Sequence, residues 1–478
     1  MNTTSSKTSR LTKIICTLGP ASDTYEQIRA LAEAGMNIAR INLSHGKREE
    51  HAAVIAHIRR LNEEGYCIGH FMDTRGAEIR SGVVIQPIPI ALGQEVVFSS
   101  NPKYQDPKNR AVIEVNYDSF AQDVRETKSI LLDNGSISFD IVSIEKDGAV
   151  IAKALDAGSI GSRRHINLPG ADIDLPSLTQ KDWDDIAYGA DEGVDAVALS
   201  FIRTAEEIEE VRALLMKKKS AMQIITKIET KVAVGKNLRE IIDASDAIMV
   251  ARGDLGTDIP IEELPAYQDE IVSLCIDAGK PVIVATHMLE SMSAFPLPTR
   301  AEVTDVAHAT ATRTDTTMLS GETAAGKHPV KCVEMMDRII RATETREFRF
   351  HHFDDIAIRN DRDARAEAAV RLAKTTEADA MIVITRSGQT AREVARFRPD
   401  LPVIACTPTA AVQHSLTIVY GIFPLVVPFA LPEKTIEDSL DGAKKAGLIK
   451  GGMRVVLLTD VLAKGDAHVT TVQLREIE

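Results

Sequence analysis

The sequence predicts an α/β fold in which a closed (β/α)8 barrel, a TIM barrel, carries an inserted small all-β barrel domain and is followed by a C-terminal α/β domain. Short apolar runs alternate with amphipathic helical patterns over most of the chain. Eight such strands precede residue 345, and β-rich sequence interrupts the alternation once, after the third strand. Eight alternating units favour parallel strands, right-handed crossovers and closure into a barrel. An open doubly wound sheet is the alternative, disfavoured because no Gly-rich dinucleotide fingerprint follows the first strand.

The barrel elements follow from this alternation in chain order. The predicted strands are apolar runs at residues 13–18, 37–43, 67–73, 195–201, 223–229, 247–250, 281–286 and 316–320. Helical patterns separate them, at residues 25–34, 47–64, 180–192, 205–218, 236–244, 264–278, 299–312 and 328–344. The barrel therefore takes residues 1–74 and 172–345.

The interruption at residues 75–171 predicts a small all-β barrel. It contains short β-rich runs such as QEVVFSS, AVIEV and AVIAKAL, separated by turn signals that include Asp147-Gly148. Because the active end of a (β/α)8 barrel lies at the carboxyl ends of its strands, a domain inserted there is expected to act as a lid.

A charged, irregular segment, REFRFHHFDDIAIRNDRDAR, begins at residue 346 and predicts a linker into the last domain, residues 346–478. The alternation of helices and strands then resumes, at residues 366–376, 380–385, 391–398, 402–406, 421–427, 435–446 and 454–459. This pattern predicts an α/β domain.

Charge and cysteine content argue against several classes of function. The formal net charge of −13 argues against nucleic acid or an anionic membrane as the main partner. The five cysteines show no C-x-x-C spacing, so reduced thiols in a cytoplasmic protein are expected rather than a zinc site or disulfides. The first ten residues lack an apolar signal core, and no run approaches the ~18 apolar residues of a membrane span.

Chemistry is expected where the barrel strands end. Six of the eight strands end in charged or hydroxyl residues after apolar interiors, which is a stronger signal than any one strand end. The candidates are Arg40, Asn42, Ser44 and His45; Asp73, Thr74, Arg75, Glu78 and Arg80; Thr226, Lys227 and Glu229; Arg252, Gly253 and Asp254; Thr286 and His287; and Ser320, Gly321 and Glu322.

Lys227 and Glu229 stand two residues apart on one strand, so both side chains point to the same side. Directed into a barrel mouth they need partners, because unpaired buried charge is expensive. Glu229 and Asp254, on adjacent strands, can share one Mg2+, which prefers oxygen ligands and keeps several for water and phosphate. The cations Arg40, Arg80 and Lys227 imply an anionic substrate that carries phosphate.

The backbone N–H groups of Gly253 and Asp254 suit a carboxylate or phosphate, since glycine removes side-chain crowding. Positioning groups and charge neutralisation, with little covalent work, are what phosphoryl transfer requires.

These residues lie in motifs that resemble those of the pyruvate kinase family. The segments TKIICTLGPAS, NIARINLSHG, DTRGAEIRSG, ITKIET, IMVARGDLG, ATHMLESM, PTRAEVTDVAHA and MLSGETAAGKHP match that family's motifs in order. The resemblance spans essentially the whole chain. It implies the reaction of phosphoenolpyruvate with ADP to give pyruvate and ATP, the last step of glycolysis.

The resemblance also implies roles for individual residues. The catalytic set is Lys227, Arg40, Thr286, Ser320 and Glu322: Lys227 would neutralise the phosphoryl group, Arg40 would contact phosphate, and Ser320 and Glu322 would help deliver a proton to the enolate. The substrate would be held by Arg40, Lys227, Gly253, Asp254 and Thr286, with Thr286 and the two amides on its carboxylate. The nucleotide would be held by Arg40, His45 and Arg164.

Two metal sites follow from the same resemblance. Glu229 and Asp254 would hold Mg2+, and a second Mg2+ would travel with the nucleotide. Asn42, Ser44, Asp73 and Thr74 match the family's monovalent-cation site, which would hold K+. Members with Glu at the position of Glu78 resemble K+-dependent enzymes, whereas a Lys there can replace the cation with its ammonium. K+ dependence is therefore expected.

The chain departs from the family pattern at three places. Arg75-Gly76-Ala77 replaces the usual Lys-Gly-Pro at the entry to the lid, so the hinge lacks the fixed φ of proline. His165 stands where the family often has glycine, and His287 replaces a common Gln beside Thr286. His287 adds a titratable group near the site, although a structural role is the more common one for such a histidine.

The segment 384–396 resembles the family's effector phosphate loop. The predicted loop residues are Thr385, Arg386, Ser387, Gly388, Gln389 and Thr390. The later segment 457–469 lacks the Trp and Arg of members activated by fructose 1,6-bisphosphate, and only Lys464 could supply charge there. A monophosphate effector, or none, is expected.

The resemblance suggests a homotetramer, with a dimer as the alternative. Two further functions stay open at this point. One is a catalytically silent relative that serves as a regulatory subunit, which would be expected to have lost Lys227, Glu229 or Asp254. The other is a Mg2+-dependent barrel lyase acting on pyruvate or phosphoenolpyruvate.

Overall fold

The first part of the barrel consists of three strands and two helices. The computed structural model describes residues 10–133, 135–171, 173–345, 356–462 and 468–478. Its first elements are β1 (Lys13–Leu18), α1 (Tyr25–Ala34), β2 (Ile38–Asn42), α2 (Arg48–Glu63) and β3 (Gly69–Asp73). Helix α1 starts where its pattern predicts, because the Thr24 hydroxyl accepts from the Gln27 N–H and the Gln27 side chain caps the Thr24 N–H.

The inserted domain is all-β apart from one short helix and a 3-10 turn. Its elements are β4 (Ile88–Ile90), β5 (Glu95–Ser99), β6 (Ala111–Glu114), α3 (Phe120–Asp123), β7 (Ser129–Leu132), β8 (Ile137–Ile144), β9 (Val150–Ala154), β10 (Gly158–Ile160) and β11 (Ile166–Asn167). Six strands form one sheet, in the order β11-β7-β8-β9-β5-β6, and β4 pairs with β10. Bridges from Arg80 to His165 and from Ser81 to Val115 join the two ends of the six-stranded sheet, which makes a small barrel.

The second part of the barrel completes the eight parallel strands. Its elements are α4 (Gln180–Glu192), β12 (Ala196–Leu199), α5 (Ala205–Lys218), β13 (Gln223–Ile228), α6 (Lys231–Val234), α7 (Leu238–Ala244), β14 (Ala247–Ala251), α8 (Arg252–Asp258), α9 (Leu264–Ala278), β15 (Val282–Ala285), α10 (Arg300–Ala311), β16 (Thr316–Leu319), α11 (Gly321–Ala324) and α12 (Pro329–Glu344). The closed order is β1-β16-β15-β14-β13-β12-β3-β2. The predicted (β/α)8 barrel is confirmed.

The C-terminal domain is an α/β sheet, as predicted. It contains α13 (Asp361–Thr375), β17 (Ala380–Ile384), α14 (Gln389–Arg396), β18 (Val403–Thr407), α15 (Ala410–Ser415), β19 (Ile422–Val426), α16 (Pro432–Lys445), β20 (Arg454–Leu462) and β21 (His468–Glu476). The sheet order is β19-β18-β17-β20-β21, and the last strand is antiparallel to its neighbour. Strand β21 and helices α8 and α15 lie where the sequence analysis predicts no element. His351, His352 and Lys464 lie outside the described residues.

The C-terminal domain closes the amino end of the barrel. One apolar cluster contains barrel-interior side chains such as Ile15, Phe71 and Met249 together with Leu416 and Val419 from the last domain. A second cluster fills the space between the strands and the surrounding helices. The closed end is thus apolar, which leaves the carboxyl ends of the strands for polar chemistry. Within the described ranges, no helix is long and apolar enough to cross a membrane.

A buried ion pair fastens the two domains to each other. Asp315, just before β16, accepts from Arg398 through both oxygens, at 2.9 and 2.6 Å. The same carboxylate accepts from the backbone N–H groups of Tyr420 at 2.8 Å and Val282 at 3.0 Å. Because both charges are almost fully buried and meet through two hydrogen bonds, loss of one partner leaves the other uncompensated.

We expect Asp315→Ala to lower the free energy of unfolding by about 3–5 kcal/mol, since it leaves a buried guanidinium and two N–H groups without their acceptor. Urea titration followed by circular dichroism measures this change. The control is Glu367→Ala, which removes a partner of the exposed Arg371 and is expected to cost at most about 0.5 kcal/mol. Equal effects of the two substitutions would contradict the prediction.

Candidate active site

The charged side chains predicted on strand β13 meet at the mouth of the barrel. Lys227 lies near the end of β13, and its Nζ is 2.7 Å from Glu229 Oε1, 3.3 Å from Asp73 Oδ1 and 2.8 Å from Ser200 Oγ. Burial lowers the pKa of Lys227, but the charges of Asp73, Glu229 and Asp254 outweigh burial and raise that pKa above its ordinary value. Lys227 is therefore a buried, permanently charged ammonium.

A second cation flanks the same carboxylate. Arg40 on β2 donates from Nε to Asp73 Oδ2 at 2.6 Å and from a terminal nitrogen to the Thr17 hydroxyl at 3.0 Å. Burial raises the pKa of Asp73, yet the charges of Lys227 and Arg40 overcome burial and hold the pKa below its ordinary value. Asp73 thus stays ionised between two cations that face the barrel mouth.

Glu229 and Asp254 form a second pair of acids beside Lys227. Glu229 follows the end of β13, and Asp254 lies in the first turn of α8, after β14. Burial raises the pKa of both carboxyl groups, and each is raised further by a neighbouring carboxylate: Asp254 acts on Glu229, and Glu78 acts on Asp254. Two acids held this close carry more negative charge than Lys227 alone compensates.

The donor set fits a hard divalent cation with few protein ligands. Glu229 Oε1 and Asp73 Oδ1 are buried and, although they face Lys227, accept no well-aligned hydrogen bond from the described residues. In the same described ranges, no cluster of three or more His, Cys, Asp or Glu side chains has metal-site geometry. The carboxylates of Glu229 and Asp254, with room beside them for water and phosphate oxygens, match the way Mg2+ binds. A cavity of about 80 Å³ between lid and barrel is lined by both Glu229 and Asp254.

The carboxyl ends of the neighbouring barrel strands β14 and β15 are joined through Thr286. The Gly253 N–H donates to the Thr286 hydroxyl at 2.8 Å, so the predicted carboxylate-binding groups are adjacent. Thr286 and His287 both have positive φ, +67° and +54°, which is strained for non-glycine residues. Two such residues in succession indicate a backbone conformation that stability alone does not explain.

Arg252 holds this strained turn in place. Its guanidinium donates to the carbonyl oxygens of Ala285 at 3.1 Å and Thr286 at 2.5 Å. It also pairs through two nitrogens with Asp305 on α10, at 2.6 and 2.7 Å. The sequence analysis includes Arg252 among the strand-end charges, but the structure gives it a supporting role, and Asp305 carries no sequence signal that identifies it as the partner.

The proton-delivery candidates lie at the end of β16. Glu322 accepts from the N–H groups of Ser320 at 2.7 Å and Leu289 at 3.0 Å, and burial raises its pKa. The Ser320 hydroxyl is buried and has no hydrogen-bond partner among the described residues. This pair therefore combines a hydroxyl that has no partner among the described residues with a carboxyl group whose pKa burial raises.

The predicted monovalent-cation residues surround Asp73. Asn42 Oδ1 accepts from the Ser44 N–H at 3.1 Å. Thr74 exchanges two hydrogen bonds with Ser200: its hydroxyl accepts from the Ser200 N–H at 3.1 Å, and its carbonyl accepts from the Ser200 hydroxyl at 2.7 Å. The structure brings these oxygens to neighbouring strand ends, with Asp73 Oδ1 lacking a well-aligned donor in the described part of the chain.

Glu78 and Arg80 are paired with each other rather than free. Arg80 approaches Glu78 Oε2 to 2.5 Å and donates to the Arg163 carbonyl at 2.8 Å, and Arg75 lies 3.4 Å from the same Glu78 oxygen. The sequence analysis groups Arg80 with the phosphate-binding cations. Its charge is instead offset by Glu78 at the entry to the lid.

The remaining predicted residues lie farther out. His45 is exposed on the loop after β2, and Arg164 is exposed on the lid, where it pairs with Asp133 at 3.2 Å. The effector-loop residues lie in the C-terminal domain, between β17 and α14, where Gly388 has φ +84° and its N–H donates to the Thr385 hydroxyl at 3.1 Å. They are not part of the barrel mouth.

The turn after β12 contributes residues that the sequence analysis does not identify. The Ser200 hydroxyl accepts from Lys227, and the Phe201 N–H donates to Glu229 Oε2 at 2.7 Å. A hydroxyl and a backbone amide after an apolar strand give no charge pattern. A serine between two apolar segments is the one available signal, and it is a weak one.

Comparison with known proteins gives consistent matches along the chain. A family model described as "Pyruvate kinase, barrel domain" matches residues 9–333, and one described as "Pyruvate kinase, alpha/beta domain" matches residues 363–472. A pyruvate kinase of Sporosarcina psychrophila is 40% identical over 474 residues, covering 96% of this chain and 79% of the relative. Plastidial pyruvate kinase 2 of Arabidopsis thaliana is 39% identical over 454 residues, covering 94% and 78%.

A solved structure is similar in fold as well as in sequence. The crystal structure of a pyruvate kinase from Cryptosporidium parvum superposes with a TM-score of 0.89 at 34% identity, covering 97% of this chain and 96% of that one.

We expect Asp254→Asn to raise the free energy of unfolding by about 1 kcal/mol in metal-free buffer at neutral pH, because it removes a buried acid whose ionised form is disfavoured by burial and by the Glu78 carboxylate, and whose charge raises the pKa of Glu229. The folded-state pKa values of Glu229 and Asp254 are both raised. Their ionisation therefore lowers the free energy of unfolding of the wild type at pH above those values, and this cost disappears as the pH falls through them. The gap between variant and wild type should therefore close near pH 4.

Urea titrations with EDTA and with saturating Mg2+ measure this effect. The wild type should gain stability from Mg2+ and Asp254→Asn should gain little, because a bound ligand stabilises only the form that binds it. Asp243→Asn, an exposed change on α7, is the matched control and should alter neither value. A variant less stable than wild type in EDTA would show that ionised Asp254 carries no folding penalty.

Proposed function

This chain belongs to the pyruvate kinase family and is a phosphotransferase, and on that premise we propose that it transfers the phosphoryl group of phosphoenolpyruvate to ADP with Mg2+ and K+ as cofactors. The observation that carries the proposal is the Lys227 ammonium, held charged beside Glu229 and Asp254 at the carboxyl ends of two adjacent barrel strands. The presence of Lys227, Glu229 and Asp254 together argues against a catalytically silent relative that serves as a regulatory subunit.

Each residue of the barrel mouth has a task in this reaction. Lys227 offsets the charge of the phosphoryl group as it passes between oxygens, and Arg40 holds it in position. Thr286, with the Gly253 and Asp254 amides, orients the substrate carboxylate. That contact requires the Gly253 N–H to release the Thr286 hydroxyl, which it meets at 2.8 Å in the structure described here.

Mg2+ held by Glu229 and Asp254 would supply positive charge against the phosphoryl and enolate oxygens. Asn42, Ser44, Asp73 and Thr74 offer oxygen atoms for K+ at the neighbouring strand ends. The excess of acids over cations supports both assignments.

Proton delivery to the enolate is proposed for Ser320 and Glu322. Burial raises the pKa of Glu322, which makes its carboxyl group a better proton carrier than an exposed one, and the Ser320 hydroxyl has no competing partner in the described part of the chain. A hydroxyl can accept one proton while it donates another.

The nucleotide is proposed to lie between the barrel and the lid. Arg40, His45 and Arg164 would meet its phosphates, with Arg164 leaving Asp133 as it does so. A second cavity of about 340 Å³, lined by Gly46, His51 and Tyr188, opens beside the His45 loop and has room for the base.

We also propose that the protein acts in the cytoplasm as a homo-oligomer, a tetramer by family resemblance or a dimer. Phe295, Leu297 and Ile261 are large apolar side chains left exposed on the barrel. Apolar side chains at a surface are typical of a protein interface when they adjoin one another. Phosphate binding by the loop from Thr385 to Thr390 stays a prediction.

We expect Lys227→Met to lower ADP-dependent pyruvate formation at least about 100-fold, mainly through kcat, because its charge is needed most in the transition state. A coupled assay of pyruvate with lactate dehydrogenase measures it. The control is Lys217→Met, an exposed change on α5 that should leave turnover unchanged. Pyruvate formation without ADP would indicate that the phosphoryl group passes to water, and binding without any pyruvate formation in the wild type would indicate a regulatory subunit or a lyase with another substrate.

We expect activity to fall when K+ is replaced by tetramethylammonium, which cannot be coordinated by oxygen ligands. Glu78→Lys should retain activity without K+, since its ammonium can supply the missing charge. Glu78→Gln removes the carboxylate without adding a cation and should not restore activity. Wild-type rates that are equal in both salts would remove the K+ assignment.

A further inference from the structure

The turn formed by residues 200–203, here called the lid-anchor turn, contacts the chain where it enters the lid. Phe201 packs directly above Gly76, where an added Cβ would lie 2.7 Å from the Phe201 ring. Gly76 also has φ +74°, so glycine satisfies both the close approach and the backbone conformation. We call the place where the chain passes from the barrel into the lid, at Gly76, the entry crossing. The phenyl ring fills the space that a side chain there would need.

The same turn contacts the chain where it leaves the lid. The Ser177 hydroxyl donates to the Phe201 carbonyl at 2.7 Å, and the Arg203 guanidinium donates to the carbonyl oxygens of Ile173 and Leu175. On the lid itself, the His165 ring meets the Phe201 ring edge-on, with 6.1 Å between centroids and 62° between planes. Both crossings and one lid side chain thus converge on Phe201.

The lid-anchor turn also reaches the charged groups of the barrel mouth. The Phe201 N–H donates to Glu229 Oε2 at 2.7 Å, and the Ser200 hydroxyl accepts from Lys227 at 2.8 Å. Phe201 adopts φ +56°, a conformation that costs free energy for a non-glycine residue. This strained backbone aims its N–H at Glu229 while its ring lies against the lid.

We propose that Phe201 is a positioning residue that couples the placement of the lid to the orientation of the Glu229 carboxylate. A shift of either crossing moves the Phe201 ring, and because ring and N–H belong to one residue, the hydrogen bond to Glu229 changes with it. Coupling of this kind is reciprocal: a cation on Glu229 that fixes the carboxylate also fixes the lid crossings. The inference deepens the proposed function, since it rests on Glu229 as a metal-binding residue.

The test measures metal binding and lid protection in the full chain, with Mn2+ alone as the probe. Electron paramagnetic resonance gives the Mn2+ dissociation constant, and hydrogen exchange of peptides covering residues 75–82 and 173–179 reports the two crossings. In the wild type, Mn2+ should slow exchange in both peptides. Phe201→Ala keeps the N–H but loses the ring that ties it to the lid, so Mn2+ should bind about 10-fold more weakly, as when a partner that orients a metal ligand is disturbed, and protection at the crossings should vanish.

Matched variants separate coupling from a general loss of structure. Phe201→Tyr keeps the ring and should restore both readouts. Val232→Ala truncates a side chain that lines the same cavity without the hydrogen bond to Glu229, and both readouts should stay at the wild-type level. His165→Ala removes the lid-side contact alone, so it tests the coupling even if Phe201→Ala does not fold, and it should reduce Mn2+-dependent protection at least twofold.

Two results would overturn the proposal: Mn2+ that leaves exchange at the crossings unchanged in the wild type, or full protection that persists in the folded Phe201→Ala or His165→Ala variant. Neither readout requires turnover. A wild-type protein that binds Mn2+ but forms no pyruvate from phosphoenolpyruvate and ADP would refute the proposed function while the coupling is judged separately.

Discussion

The polar end of this barrel depends on keeping the Lys227 ammonium charged while it is buried. Two cations, Lys227 and Arg40, face three carboxylates, those of Asp73, Glu229 and Asp254. Asp73 lies between the cations and its pKa falls, whereas burial and neighbouring carboxylates outweigh the effect of Lys227 on the other two acids and raise their pKa values. The site therefore holds more carboxylates than cations, an excess of negative charge that a proton or a metal cation would relieve. A buried, acid-rich site of this kind is costly to fold, and its retention is explained by ligand binding.

Strain at the neighbouring strand ends has the same explanation. Thr286, His287 and Phe201 all hold positive φ without being glycine, and each follows a barrel strand directly or closely. Arg252 holds the first two through the Thr286 carbonyl, and the packing against Gly76 holds the third. Such conformations persist only where surrounding contacts over-determine them. The rigid interior of the barrel supplies that support, together with the apolar cluster that it shares with the C-terminal domain at its amino end.

Much of this architecture could be predicted because it depends on periodic apolar patterns. The run at Lys13–Leu18 has the same bounds in sequence and structure, and spacing alone placed Lys227 and Glu229 on one face. What could not be predicted depends on contacts between distant residues. Arg252 and Asp305 are 53 positions apart, and the Phe201 N–H carries no side-chain signal. Strand β21 alternates polar and apolar residues at a sheet edge, so it lacks the continuous apolar run that identifies the buried strands.

The position of the lid in the chain follows from strand order around the barrel. The lid is inserted after β3, whose neighbour in the closed sheet is β12, and the next strand is β13, which carries Lys227 near its end and Glu229 just after it. Thr74, at the exit of β3, is already hydrogen-bonded to Ser200 at the exit of β12. An insertion at this connection therefore lies two strands along the barrel from Glu229, with only β12 between them, close enough for backbone groups to link them. An insertion after β1 or β16, on the far side of the barrel from β12, would lack that link, because the turns between would not touch Glu229.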